Sequence, residues 1–191
     1  MVDEQRAALA FIAIIAGVMG CIEGVMSMRA GSTAILADAL VFVNHSISAT
    51  LASWSLTGKF FRSRLVIQLQ GIFMMLLGLA VFAVAVRRFM IGSAPRPLVM
   101  IILGAFALGA SLMCSAIVLR QRGLVAMPQT VWKLSGADAV SNIAVVAAGA
   151  LVALTFSNIP DLVIGGAMAG YFTLLGWRMA ASGQPYNHRT P

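Results

Sequence analysis

Charged side chains are scarce in this sequence. They make up 10% of its 191 residues, and only six are acidic. A soluble domain carries roughly 25% charged and about 45–50% apolar residues, whereas this chain is 60% hydrophobic with a mean hydropathy of +0.94. That shortage excludes an ordinary soluble domain and places the chain in a lipid bilayer. Cysteine is nearly absent as well. Cys21 and Cys114 both fall inside apolar runs, so no disulfide framework or metal-finger spacing exists, and packing is their expected role. Missing too are a nucleophile–base pair, a glycine-rich phosphate loop and any cofactor motif, which argues against an enzyme. The N-terminus has no basic leader. Asp3 and Glu4 precede a first apolar run that outlasts the roughly 7–15 residues of a signal-peptide core. The first helix is expected to stay in the mature protein.

What the chain has is apolar length. A helix needs roughly 20 apolar residues to cross about 30 Å of hydrocarbon. Six such stretches are read at about 7–28, 33–56, 65–86, 98–119, 134–156 and 161–181. Residues 182–191 remain as a short polar tail, and no C-terminal cytoplasmic domain is expected. The connections are a tight Arg29–Ser32 turn, a basic loop with Lys59, Arg62 and Arg64, and the Pro95-Arg96-Pro97 turn. A loop with Arg120, Arg122 and Lys133, broken by Gly123 and Pro128, follows, then Ser157-Asn158-Ile159-Pro160. The predicted fold is an all-α integral membrane bundle of six transmembrane helices.

The net charge of +7 does not signal nucleic acid, because the 13 basic residues lie almost wholly between apolar runs. Six crossings put both termini on one side. That side holds Arg6, Lys59, Arg62, Arg64, Arg120, Arg122, Lys133, Arg178 and Arg189, against Arg29, Arg87, Arg88 and Arg96 on the other. The positive-inside bias predicts cytoplasmic termini, with Arg87 and Arg88 running against it. Small residues recur in the fourth run (Gly104, Ala105, Gly109, Ala110) and the sixth (Gly165, Gly166, Ala169, Gly170). Such spacing lets helices approach closely. Packing within one bundle is the plain reading, and a homodimer face the sharper one.

Four ionisable groups fall within the apolar runs: Glu23, Asp38, His45 and Asp138. An acid at bilayer depth costs about 2.5–3.5 kcal/mol on insertion scales, so such groups face a cavity or a partner. Asp38 and His45 are seven apart, on one face of the second helix, with Asn44 adjoining His45. Asp138 and Asn142 are four apart on one face of the fifth, with Ser135 and Ser141 nearby. Facing each other, these stripes would offer carboxylate, imidazole and amide ligands to a divalent transition metal. Structural roles stand beside this reading. His45 could hydrogen-bond a neighbouring helix, Asp38 could cap its helix or sit at the interface, and Asp138 could pair with Lys133. For Glu23 the favoured reading is an ion pair with Arg29.

The segments Gly31-Ser-Thr-Ala-Ile-Leu-Ala-Asp-Ala-Leu40, Asp138-Ala-Val-Ser-Asn-Ile-Ala-Val-Val-Ala-Ala-Gly149 and Asn158-Ile-Pro-Asp-Leu-Val-Ile-Gly165 resemble motifs of the cation diffusion facilitator family. The number and order of helices agree over most of the chain. The resemblance implies proton-coupled efflux of a divalent metal (zinc, cobalt, iron, manganese or cadmium) by alternating access, and a bacterial inner membrane. It carries no resident cofactor and no nucleic-acid partner. It also implies a tetrahedral transport site at Val41, His45, Leu134 and Asp138. Val41 and Leu134 depart from that pattern, since neither can bind a metal, and His45 stands where an aspartate is usual. The cytoplasmic metal-binding domain and the histidine-rich loop of the family are missing. His45 and Asp138 are therefore the expected ligands, supported by Asp38 and Asn142. The alternative is a degenerate, non-transporting member acting as a partner or regulatory subunit. A third reading is a small transporter for protons or an organic cation.

Overall fold

The computed structural model describes residues 2–56, 64–120 and 129–183, without the side chains of residues 2 and 129–137. Lys59, Arg62, Arg122, Gly123, Pro128, Arg189 and the polar tail from residue 184 lie outside the described residues, as do the side chains of Lys133, Leu134 and Ser135. Among the described residues there are six helices: α1 (Val2–Ala30), α2 (Thr33–Ser55), α3 (Arg64–Ile91), α4 (Pro97–Arg120), α5 (Gln129–Thr155) and α6 (Ile159–Ser182). Each is long and apolar enough to cross a membrane. α1 and α3 outrun the apolar runs read from the sequence, because a helix propagates past its hydrophobic stretch until a residue stops it.

The stops are local. Gly31 turns the chain between α1 and α2 at φ +63, a region that costs glycine nothing. Pro97 opens α4, and Pro160 falls at the first turn of α6, where its missing N–H removes no helical bond. Gly183 closes α6 in the left-handed region, its N–H bonding Met179 O at 2.9 Å.

The surface is inverted relative to a water-soluble protein. Phe89, Met90, Phe106 and Leu154 point outward, each more than 70% exposed, while Glu23, Asp38, His45, Asp138 and Asn142 are fully buried. Apolar outside and polar inside is the arrangement lipid imposes, since hydrocarbon offers no hydrogen bonds. The protein is therefore a helical integral membrane protein.

α2 is the central helix. Of its apolar window 61% is buried, against 28–39% for the others, and it touches α1, α3, α5 and α6. α1 packs along α2, α4 along α5, and α3 along α6. The α3–α6 seam brings backbones together: a Cβ on Gly176 would lie 2.5 Å from Met75 N and 2.6 Å from Gly71 O. The small residues singled out in α4 and α6 divide between two roles. Gly104 packs against Val146 of α5 and Gly165 against Thr33 and Ala34 of α2, whereas Gly109, Gly166 and Gly170 have open space beside them.

Candidate cation site

Two polar clusters are buried among these helices, and they differ in how completely they are bonded. The first is at the start of α2. Ser32 caps that helix, accepting from Ile35 N at 3.2 Å. Its hydroxyl donates in turn to Asp161 Oδ1 of α6 at 2.5 Å. Thr33 N donates to Asp161 Oδ2 at 2.8 Å and Ala34 N to Oδ1 at 3.0 Å. A carboxylate at a helix N-terminus satisfies orphan N–H groups and meets the positive end of the dipole. Arg88 lies beside Asp161 and donates to Thr33 Oγ1 at 3.1 Å. One of the two arginines that oppose the charge bias is therefore held by structure.

The second cluster lies between α1, α2, α4 and α5. His45 Nδ1 meets Asp138 Oδ2 directly. Ser141 donates to Asp38 Oδ1 at 2.6 Å and sits 2.8 Å from Asp138 O, so one hydroxyl ties α2 to α5. Asn142 Nδ2 donates to Ser111 Oγ of α4 at 2.7 Å. The Glu23 carboxyl, from α1, lies against that of Asp38. Every one of these side chains except Ser141 is 0% exposed.

Among the described residues, six polar atoms of this cluster have no donor partner: both oxygens of Glu23, Asp38 Oδ2, Asp138 Oδ1, Asn142 Oδ1 and His45 Nε2. Leaving a buried polar atom unbonded costs about 1–3 kcal/mol, more when it is charged. Five of the six are oxygens, which accept unless a carboxyl is protonated, and the cluster holds three carboxyls and a single imidazole. The cluster is short of donors and of positive charge. Protons or a cation supply both.

The four residues singled out as ligands, His45, Asp138, Asp38 and Asn142, thus fall in one buried cluster. They do not form a ready-made cage, for among the described residues no three His, Cys, Asp or Glu side chains are grouped to hold a metal. His45 and Asp138 are closed on each other, and Glu23 and Asp38 form a second pair. Asn44 belongs elsewhere, accepting from Gln70 Nε2 of α3 at 3.1 Å. Val41 is buried in an apolar cluster with Met74 of α3 and Phe172, Leu175 and Met179 of α6. Leu134 and the Asp138–Lys133 pairing fall outside the described side chains.

Two structural readings from the sequence need correction. Glu23 does not pair with Arg29; it is fully buried beside Asp38, while Arg29 is exposed. The shared helix suggested that pair, but α1 turns the two residues to different surroundings. Asp38 does not cap α2, because Ser32 and Asp161 do the capping and Asp38 lies further into the helix, bonded to Ser141 of α5. Ser111 had no signal in the sequence, since isolated hydroxyls are ordinary in membrane helices.

No model of a known protein family matches this chain, and no curated protein matches it either.

Proposed function

We propose that this protein is a divalent metal cation efflux transporter of the cation diffusion facilitator type, exchanging the metal for protons by alternating access. The observation that carries this reading is the surplus of unpaired acceptors in a buried cluster of a membrane bundle. His45 Nδ1 turned to Asp138 leaves Nε2 free. A carboxylate behind an imidazole fixes its orientation and raises its basicity toward a metal. Ligands bind a metal only when deprotonated, so metal and protons compete for the same atoms and their movements are coupled. Asp38 and Asn142 supply further oxygens. The polar stripes of α2 and α5 are the surfaces between which access would alternate. The charge bias supports cytoplasmic termini, the family resemblance supports a bacterial inner membrane, and the open small-residue faces at Gly109, Gly166 and Gly170 support a homodimer.

The test is metal uptake into proteoliposomes, comparing the parent with His45→Ala and Asp138→Asn across zinc, cobalt, manganese, iron and cadmium. Uptake by the parent and its loss in both variants is the expected result. A folded parent that moves none of these metals overturns the proposal. The second reading, a non-transporting partner subunit, would then be favoured, because His45 and Asp138 already bond each other and Val41 lies in an apolar wall.

A further inference from the structure

Resting on that reading, we infer that Gln70 of α3 is a releasable latch that holds the α3–α6 pair against α2, and that the bundle opens first at this end instead of at the Asp161 clamp. α3 and α6 form one body because their backbones touch along the seam. A Cβ on Gly71 would lie 2.5 Å from Ala180 N, and one on Gly78 would lie 2.9 Å from Thr173 N. Gln68 Nε2 adds a bond to Ala180 O at 3.1 Å. Between this pair and α2 the middle of the contact is apolar, where Val41 meets Met74, Phe172, Leu175 and Met179. Lipid tails are as apolar as these side chains, so no hydrophobic force closes the contact. Packing and polar bonds must hold it.

The polar bonds are unequal at the two ends. At the start of α2, Asp161 receives Ser32 Oγ, Thr33 N and Ala34 N, and Arg88 donates to Thr33 Oγ1. Bonds to a carboxylate are roughly twice as strong as neutral ones. In the second half of α2 a single neutral amide does the fastening. Gln70 Nε2 donates to Asn44 Oδ1 at 3.1 Å and to Ser48 Oγ at 2.5 Å. Asn44 and Ser48 are buried one turn apart on α2, and Gln70 is half-buried. Once the amide lets go, hydrocarbon offers these groups no other partner, so the seam parts only as water enters it. Asn44 immediately precedes His45, which brings that water beside the proposed ligand.

The test is solvent access to the seam, which needs no metal. Val41→Cys lies one turn beyond the latch and is titrated in detergent with a charged methanethiosulfonate reagent, the parent's Cys21 and Cys114 being measured alongside. Adding Gln70→Leu should speed its reaction at least about fivefold, the worth of two weak neutral hydrogen bonds. Ser48→Ala should give a smaller gain, and combining it with Gln70→Leu should add nothing, because both remove the same bond. Ala37→Cys, nearer Asp161 and packed with Val81 and Ala169, should be accelerated far less. Melting curves show which variants are folded, and Ser48→Ala carries the comparison if Gln70→Leu is not. Unchanged labelling of Val41→Cys in a folded variant overturns the latch, and so does equal acceleration at both cysteines, which means general loosening. A parent that gives the expected pattern yet moves no metal overturns the proposed function and leaves the latch standing.

Discussion

Asp161 and Asp38 are both aspartates, both completely buried, and both contacted by a serine hydroxyl from another helix. Yet they have opposite surroundings. Asp161 receives a hydroxyl and two backbone N–H groups, with Arg88 close by. Its negative charge is matched by the start of α2. Asp38 receives one hydroxyl, keeps an open oxygen, and has another acid as its neighbour. The same side chain is a clamp at one level of the bundle and an unfilled demand for positive charge at another. Burial alone does not separate the two roles, and counting partners does.

The largest expected effect breaks the satisfied half of that contrast. Asp161→Ala strands the donors of Ser32, Thr33 and Ala34, and should lower stability in detergent by about 2–3 kcal/mol, measured by thermal or denaturant unfolding. Saturating metal sharpens the other half. At a hundredfold excess over the dissociation constant a ligand adds about 2.7 kcal/mol, so a metal that the protein transports should raise the melting temperature of the parent and of Asp161→Asn but not of Asp138→Asn. A metal shift that survives Asp138→Asn would move the cation elsewhere. Gly165→Ala attacks the clamp by crowding, because its Cβ would come 2.6 Å from Thr33 C and 2.8 Å from Ala34 N. Overpacking of this kind costs about 1–3 kcal/mol, and cation affinity should change far less than stability. Ser111→Ala leaves the Asn142 amide without its acceptor and should cost about 1 kcal/mol. Asp38→Asn should have the smallest effect on melting. It removes one of two adjacent acids while keeping an acceptor for Ser141, so the unliganded protein should be no less stable and metal uptake should be lost. Strong destabilisation by Asp38→Asn would make Asp38 a second clamp.

The helices were legible because hydrocarbon thickness imposes a length that apolar runs reveal directly. Asp38, His45, Asp138 and Asn142 were legible too, since polar residues at seven- and four-residue spacing stand out against leucine, valine and alanine. The inward face of α1 was not. A helix greasy on every side carries no stripe to say which way it turns, so Glu23 was assigned to an arginine on its own helix. Nor could spacing reveal that an acid opening α6 completes the start of α2, because that bond joins residues more than a hundred positions apart. Ser111 shows the same limit on a smaller scale. Its importance comes from Asn142 across the bundle, and nothing on α4 announces it.

That long-range bond has a consequence for how the protein is made. α2 enters the membrane early, capped by Ser32 alone, while the carboxylate that bonds its first two N–H groups is still to be synthesised. Its N-terminal end can be completed only when α6 arrives, after α3, α4 and α5. Maturation in the bilayer should therefore finish at the N-terminal end of α2, in one late step contributed by α6, and a ribosome-tethered chain arrested before Asp161 should carry an α2 whose leading turn is still open to protease or amide exchange.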